Sequence, residues 1–518
     1  MNKNNLLIIK NTVFLYVRMA CMIIVALYTS RVILQALGVE DYGIYQTVGG
    51  IVGLLAFVNT LLSSGTSRFL TFEFGHGITD KLKATFSTLL SVHIFIGLFF
   101  IIISEIIGFW LINTKLNIPA EQLVTAKIVF QFTILTGFFS ITQVPYTAVI
   151  IAHENMKIYA YMGLLEVFFK LVIALAIEQF SSGRLLIFAA LMCMSQIFVL
   201  SLYRFYCTRR YIESHWQYKL FSWGILKEVG SFSIWNAFAG VSVAMLQYGT
   251  VLLLNIFFSP ALVAARALND QVSNAVNQFV QNFRTAANPQ IIKKMAVGDY
   301  AGSKHLLLMS TRLAYYLMLM VAIPVIILAE PLLKLWLVSV PVYLIEFVQW
   351  TMVQNLFSVF NACFYTAIYA KGRLRENAIL APAIDVLILL AVYMLFYNGC
   401  SPMVLCYAFT IMAFLEGLIE KPFILCRYIN YNVGEIIRVV VRCMLVTIAA
   451  VPLPYFIGEY LDIFKLNGFL SVCIVSILSV GTFSYIVGIN NKERYEIAIL
   501  FKDKLHNKMK KGENKNDF

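Results

Sequence analysis

Residues 86–111 read FSTLLSVHIFIGLFFIIISEIIGFWL and contain a single charged side chain, Glu105. A helix needs ~20 consecutive apolar residues to cross the hydrocarbon core of a bilayer, because backbone amides in lipid must bond to one another. This stretch is long enough, and the whole chain resembles it in composition: of 518 residues, 60% are hydrophobic and 13% are charged. Soluble domains are roughly 45–50% apolar and 25% charged. The sequence is therefore that of a membrane protein.

The chain contains fourteen apolar windows of this kind, each bounded by charged or turn residues. This pattern predicts an all-α integral membrane protein with 14 transmembrane helices. The windows cover residues 12–35, 43–66, 86–111, 123–149, 158–178, 185–203, 229–255, 262–284, 306–329, 341–369, 377–397, 402–419, 439–456 and 467–489. Arg18 lies within the first window, and no small-residue cleavage site follows it, so we interpret this segment as a retained helix and not as a signal peptide.

The distribution of basic residues tests this count, because cytoplasmic loops carry an excess of Lys and Arg. Most of the 40 Lys and Arg fall in alternate connections and in the tail at 490–518. The opposite connections hold Lys115, Arg184, Lys334 and Lys465. Both termini are therefore predicted to be cytoplasmic. The basic tail is interpreted either as a surface helix attracted to anionic lipid or as a solvated charge run that reinforces the topology.

Two halves of the chain match at an offset of about 220 residues. Tyr146-Thr147-Ala148 aligns with Tyr365-Thr366-Ala367, and Asn59 aligns with Asn282. Matching topology indicates two parallel six-helix repeats followed by two further helices. The predicted organisation is an N-lobe at 1–203, a cytoplasmic linker at 204–228, a C-lobe at 229–428, two last spans at 429–489 and the tail at 490–518.

A turn between the first two spans carries a family resemblance. Residues 37–45 read LGVEDYGIY, in which Gly38 can end a helix with positive φ while Glu40 and Asp41 lie at the positive start of the next one. This turn, together with Ser67-Arg68-Phe69 and the arrangement of spans, resembles the polysaccharide (Wzx-type) flippases of the multidrug/oligosaccharidyl-lipid/polysaccharide exporter superfamily, which also contains the lipid II flippases and the MATE drug exporters.

The resemblance implies a V-shaped pair of lobes that open alternately to the two sides of a bacterial inner membrane. It implies export of undecaprenyl-diphosphate-linked oligosaccharide for surface polysaccharides such as O-antigen, without enzymatic turnover and without a bound cofactor. A polysaccharide polymerase and other assembly proteins are the implied partners.

The eighth span divides into a polar and an apolar side. Polar residues at membrane depth normally face a bundle interior or an aqueous cavity, since a central Arg or Asp costs about 2.5–3.5 kcal/mol on insertion scales. We interpret the polar side as cavity lining. The alternative is an interhelical hydrogen-bonding stripe in which Arg266 and Asp270 neutralise each other. The polar side holds Arg266, Asp270, Ser273, Asn274, Asn277, Gln281 and Arg284.

Two arginines of the first span are further candidates. Arg18 lies about two turns inside the predicted membrane, whereas Arg31 lies near the outer end, where it can also snorkel to headgroups. If these helices line the cleft that the resemblance implies, Arg18 and Arg266 offer cations to a diphosphate, for which planar guanidinium donors are suited. Asn59 is a candidate for binding sugar hydroxyls, with interhelical bonding as the alternative.

Ion coupling is assigned to Asp385. It follows Pro382 by three residues, and that proline frees the carbonyl of Ala378, so a carboxylate and a loose carbonyl can together bind Na⁺ or relay H⁺.

Several function classes are excluded by missing motifs, and two alternatives remain. The sequence has no Gly-Lys-Ser/Thr phosphate loop and no Asp-x-Asp pair, and His153-Glu154 is not followed by the second His of a zinc protease. A MATE-like antiporter for cationic drugs would favour carboxylates and aromatic residues over arginines in its cleft. A membrane polymerase or glycosyltransferase would usually carry a substantial external domain, which the short predicted external loops do not provide.

Overall fold

The computed structural model describes residues 3–55, 57–75, 80–153 and 155–489, and it describes side chains outside 3–22, 57–62, 64, 156, 230–239, 286 and 374. This part of the chain is helical and holds no β-strand. The predicted all-α class is confirmed. The first half comprises α1 (Lys3–Leu55), α2 (Phe57–Gly75), α3 (Asp80–Thr114), α4 (Leu123–Ala152), α5 (Met156–Ile177), α6 (Arg184–Arg210), α7 (Trp223–Ala244), a π-helical turn (Met245–Gly249) and α8 (Thr250–Phe257).

The second half contains longer helices interrupted by short ones. It comprises α9 (Pro260–Ala296), α10 (Tyr300–Ile327), α11 (Ala329–Trp336), α12 (Leu344–Lys371), α13 (Leu374–Tyr397), α14 (Val404–Phe414), a π-helical turn (Leu415–Glu420), α15 (Lys421–Ile429), α16 (Val433–Ala450), α17 (Pro452–Tyr460), α18 (Leu466–Phe483) and a π-helical turn (Ser484–Gly488). Each of the fourteen predicted windows lies largely on helical backbone where the chain is described.

Ten helical segments within the described residues are long and apolar enough to cross a membrane. The chain is therefore a multi-pass membrane protein, and the count of fourteen crossings stays a prediction. Helix α9 is not among the ten, which is expected because polar side chains fill one of its sides. The ten segments are Ile23–Leu55, Asp80–Thr114, Ala120–Ala152, Lys157–Ile177, Arg184–Arg210, Gly240–Phe257, Tyr300–Ile327, Arg375–Tyr397, Val433–Tyr460 and Leu466–Gly488.

Gly38 breaks α1 into two parts. Its φ of 82° and ψ of 169° lie outside both helical regions, in a part of conformational space that is open essentially to glycine alone. The positive φ predicted from the turn sequence is confirmed. Beyond the adjacent backbone, no atom lies within 4 Å of the position that a Cβ would occupy, so a side chain here would meet backbone strain without a steric clash.

We therefore expect Gly38→Ala and Gly38→Asn to destabilise the protein by about 1–3 kcal/mol, seen as a lower unfolding midpoint in detergent. Gly183 is the matched control, because its φ of 64° and ψ of 23° lie in the left-handed helical region, which Asn tolerates, and its surroundings are also open. Gly183→Asn should keep the wild-type midpoint. Equal midpoints for Gly38→Asn and wild type would show that the break does not depend on glycine.

The helices group into two compact units, each built from separate stretches of chain. The first unit comprises Met1–Val272, Leu333–Phe347 and Ala378–Met412, and the second comprises Ser273–Leu332, Val348–Asn377 and the chain from Ala413 onward. The first has apolar clusters around Phe130 and Phe86, among others. The second buries Tyr315 against Phe360, with ring centroids 5.2 Å apart. The predicted division into lobes concerns an internal repeat and stays a prediction.

The connection between α6 and α7 is attached to α3. Helix α6 continues to Arg210 and α7 begins at Trp223, and the link between them contains two short 3₁₀ helices, Ile212–Ser214 and Tyr218–Leu220. Trp216 Nε1 donates to Ser91 Oγ (3.0 Å), and the backbone N–H of Gln217 donates to Ser87 Oγ (3.2 Å). The N–H of Ser222 donates to Thr88 Oγ1 (3.0 Å). The link is thus anchored along one side of α3.

Candidate binding surface on helix α9

Arg266 and Asp270 form the predicted ion pair on α9. Arg266 Nη2 lies 3.1 Å from an Asp270 carboxylate oxygen, and the guanidinium also lies over the Phe409 ring, with Cζ 5.3 Å from its centroid. The Arg266 side chain is 12% exposed and that of Asp270 is 39% exposed. A guanidinium has five N–H donors, so one contact with Asp270 does not exhaust its capacity. The pair is partly exposed, more through Asp270 than through Arg266.

The start of α9 is fixed to both parts of α1 by residues that the sequence did not single out. Ser30 Oγ donates to Gln271 Oε1, and Gln271 Nε2 donates to Tyr42 Oη at 3.2 Å. Ser30 precedes the break at Gly38 and Tyr42 follows it. Gln271 therefore links the first turns of α9 to both parts of α1, next to Asp270. In the sequence, Gln271 was marked only by its position next to the polar side of α9.

Further along α9, two residues of the polar side form interhelical hydrogen bonds within the second unit. Asn277 Nδ2 donates to Asn355 Oδ1 (3.2 Å) on α12, and Asn355 Nδ2 donates to Ser273 Oγ (3.1 Å). Asn355 is buried. For Ser273 and Asn277 the structure thus shows the interhelical bonds of the alternative interpretation. Asn355 was missed because polar residues within an apolar helix identify a partner only once the neighbouring helix is known.

Of the remaining polar side chains of α9, Arg284 also bonds to α12, where its Nη2 donates to the carbonyl of Ala362, whereas two others are more open. Asn274 and Gln281 are exposed, and Gln281 Oε1 accepts from Arg284 Nη1 at 3.2 Å. On the apolar side, Val276 and Val280 are buried, at 6% and 5% exposure, whereas Phe279 is 50% exposed. Exposed amides at these positions need water, because amide groups in hydrocarbon without partners cost several kcal/mol. Asn274 and Gln281 are therefore not sealed inside dry protein, whereas Ser273 and Asn277 are held by α12.

Arg31 forms a hydrogen bond to the backbone at the end of α11. Its Nη1 donates to the carbonyl of Leu335 at 3.2 Å, and the side chain is half-buried. In the same region Trp336 Nε1 donates to the carbonyl of Leu27 at 2.8 Å. These bonds attach the last turns of α1 before Gly38 to the end of α11. Arg31 thus has a structural partner, which neither the snorkelling nor the diphosphate interpretation anticipated.

Three other predicted site residues are Arg18, Asn59 and Asp385. The side chains of Arg18 and Asn59 lie outside the described residues, so their roles stay predictions. Asp385 is buried on α13, at 6% exposure, one turn after Pro382. Its role in ion coupling also stays a prediction.

A second buried acidic group lies in the π-helical turn between α14 and α15. Asn361 Nδ2 donates to Glu416 Oε2, and Glu420 pairs with Lys421, both of these side chains being 3% exposed. Sequence reasoning did not single out these residues. The signal for them was the sequence 416–421, which places Glu416, Glu420 and Lys421 near the end of an apolar window.

Solved structures share this fold. The chain superposes on the lipid II flippase MurJ in an inward closed conformation with a TM-score of 0.66, covering 91% of this chain and 98% of that one at 12% identity. An inward-facing multidrug resistance MATE family transporter of the MOP superfamily gives 0.50, covering 92% and 96% at 13% identity. The MATE multidrug transporter DinF-BH gives 0.53, covering 80% and 94% at 16% identity.

At these identities the likeness establishes the fold. The chain has the fold shared by lipid II flippases and MATE transporters, as the resemblance predicted, while the polysaccharide branch stays a prediction. No model of a known protein family matches the sequence, and no curated protein matches it either.

Proposed function

We propose that the protein is a flippase that moves an undecaprenyl-diphosphate-linked oligosaccharide from the cytoplasmic to the outer leaflet of a bacterial inner membrane. The fold is that of membrane flippases and transporters over nearly the whole chain. The observation that supports the substrate class is Arg266, a partly exposed cation on the polar side of α9 with N–H donors beyond the one that contacts Asp270. A diphosphate is an anion that a guanidinium binds through two oxygens at once.

In this proposal each part of the substrate meets a suitable environment. The diphosphate pairs with Arg266 and with Arg18, the glycan passes through water beside the amides of α9, and the polyprenyl tail stays in lipid. Such a route avoids moving a polar headgroup through hydrocarbon. Substrate can drive a change between two forms of the protein only through its different affinity for them, so Na⁺ or H⁺ binding at Asp385, or downstream polymer synthesis, supplies direction.

The same fold includes the MATE multidrug transporters, which makes an antiporter for cationic drugs the second candidate. Two features oppose it. Arg266 would repel a cation, and its neighbour Asp270 is already paired with it. The polar side of α9 holds two arginines, Arg266 and Arg284, and one carboxylate, Asp270, and this excess of positive charge favours an anionic substrate.

Deletion of the gene tests the proposal. We expect loss of surface polysaccharide and accumulation of a polyprenyl-diphosphate-linked oligosaccharide on the cytoplasmic side, identified by mass spectrometry of extracted lipids. Expression of the wild-type chain should reverse both effects. Unchanged glycan and lipids, with increased retention of cationic dyes, would support the antiporter. Sugar transfer from nucleotide donors by the purified protein in vesicles would support a glycosyltransferase instead.

A further inference from the structure

A basic crevice lies between α10 and α16 in the second unit. It has a volume of about 340 Å³. Lys304 Nζ and the Glu435 carboxylate form an ion pair from one helix to the other. Arg312 Nη1 donates to the carbonyl of Gly488, at the end of the π-helical turn after α18, at 2.8 Å. The charged or titratable residues lining the crevice are Lys304, His305, Arg312, Glu435, Arg438 and Arg442.

Among the described residues that line this crevice, basic side chains outnumber carboxylates. The basic ones are Lys304, Arg312, Arg438 and Arg442, and the one carboxylate, Glu435, is paired with Lys304. Arg312 is buried, at 6% exposure. Cations that line one crevice repel one another and are stabilised by a bound anion. The crevice therefore suits an anionic group placed between α10 and α16.

The crevice lies toward one end of the helices that line it. Gly488 ends one candidate span, whereas Tyr300 and Val433 begin two others. At 1.5 Å per residue, Arg312 lies about 18 Å along α10 from Tyr300, and Arg442 lies about 13 Å along α16 from Val433. All four cations therefore lie in the first half of the candidate spans Tyr300–Ile327 and Val433–Tyr460, on the side predicted to be cytoplasmic.

The opposite side of α16 is apolar. Val433, Ile437 and Val441 are 55%, 54% and 47% exposed and line a separate groove of about 410 Å³ with Phe423 and other apolar residues. Helix α16 thus presents hydrocarbon on one side and arginines on the other. If the arginines of α16 only attracted the helix to lipid headgroups, they would not need to face α10. Arg438 and Arg442 line the crevice with residues of α10, which indicates a specific binding site.

We propose that this crevice binds the phosphate of an anionic phospholipid from the adjacent leaflet. Arginine suits the phosphate because its planar donors bond two oxygens, and basic pockets between membrane helices on the cytoplasmic side are known to hold anionic headgroups. A lipid is favoured over free phosphate because the crevice lies between membrane-spanning helices, and α16 carries an apolar groove on its other side. Its lining residues belong to α10 and α16 and not to α9, so the site does not depend on the proposed function.

The test uses the full chain in detergent with added short-chain phosphatidylglycerol. We expect the lipid to raise the unfolding midpoint of the wild type. The double variant Arg438→Gln/Arg442→Gln should need about tenfold or more lipid for the same shift, because each basic residue contributes separately to attraction of an anionic headgroup. Arg438→Gln alone serves if the double variant does not fold, since Arg438 is exposed on α16. It should show a smaller loss in the same direction.

Arg427→Gln is the matched control: it removes one charge from an exposed position of α15 that does not line the crevice. It should respond like the wild type, and phosphatidylcholine and inorganic phosphate should have no effect on any variant. Equal responses of Arg438→Gln and Arg427→Gln would overturn the proposal. So would an equal effect of phosphatidylcholine, saturation by inorganic phosphate alone, or tighter competition by a polyprenyl diphosphate, which would make the occupant a transport substrate.

Discussion

Replacing Arg266 with Ala should abolish glycan export, whereas Asp270→Asn should leave export near the wild-type level or raise it. The proposed substrate is an anion that uses the guanidinium, and Asp270 competes with it for that group from 3.1 Å away. Loss of a charge-assisted contact of about 1.5–3 kcal/mol lowers affinity about 10- to 150-fold. Surface glycan and the accumulated lipid-linked intermediate provide the measurement.

The asymmetry between the two variants is what makes this test informative. If Arg266 and Asp270 only neutralise each other, removal of either partner leaves an uncompensated charge, and both variants should fail alike. Arg266→Lys adds a further comparison, because it keeps the charge and loses the planar donors. Membrane protein levels must be measured in parallel. Loss of the protein itself in Arg266→Ala would mean that the arginine stabilises the fold.

A second large effect is expected from Gly43→Ala. A Cβ at residue 43 would lie 1.9 Å from the carbonyl oxygen of Pro260 and 2.4 Å from its carbonyl carbon. Both atoms belong to backbone at the start of α9 and cannot rotate away. We therefore expect α1 and α9 to be forced apart, with about 1–3 kcal/mol or more of lost stability and loss of export.

Gly49→Ala is the control in the same helix, because the position that its Cβ would occupy has no neighbouring atom within 4 Å beyond the adjacent helix backbone. Alanine is favoured over glycine inside a helix by about 1 kcal/mol, so this variant should be neutral or slightly stabilised. The measurement is the unfolding midpoint of the purified protein in detergent, together with export in cells. Wild-type behaviour of Gly43→Ala would show that the close contact between the two helices is not needed.

The fold was largely predictable because bilayer physics restricts it. Apolar windows of sufficient length must be helical. In the sequence 37–45, Gly38 can adopt the positive φ of a turn, and it does so in the structure. The number of membrane crossings was harder to predict from the sequence. A helix such as α9, with amides and charges along one side, fails a test of apolarity even when it has the length to cross.

The candidate site was predictable along one helix and not between helices. Periodicity placed Arg266 and Asp270 on one side of α9, and the structure shows them paired. Periodicity does not say which residue of another helix comes opposite. The bonds from Gln271 to Ser30 and Tyr42, and from Asn355 to α9, are fixed by helix packing, which a single sequence does not specify.

The short connection after α6 has a mechanical consequence. Three hydrogen bonds attach it to α3, the last of them from the backbone of Ser222. Helix α7 starts at the next residue, Trp223. This segment is therefore a fixed connection, and any movement of α7 relative to α3 must bend the chain after Ser222 or break these hydrogen bonds.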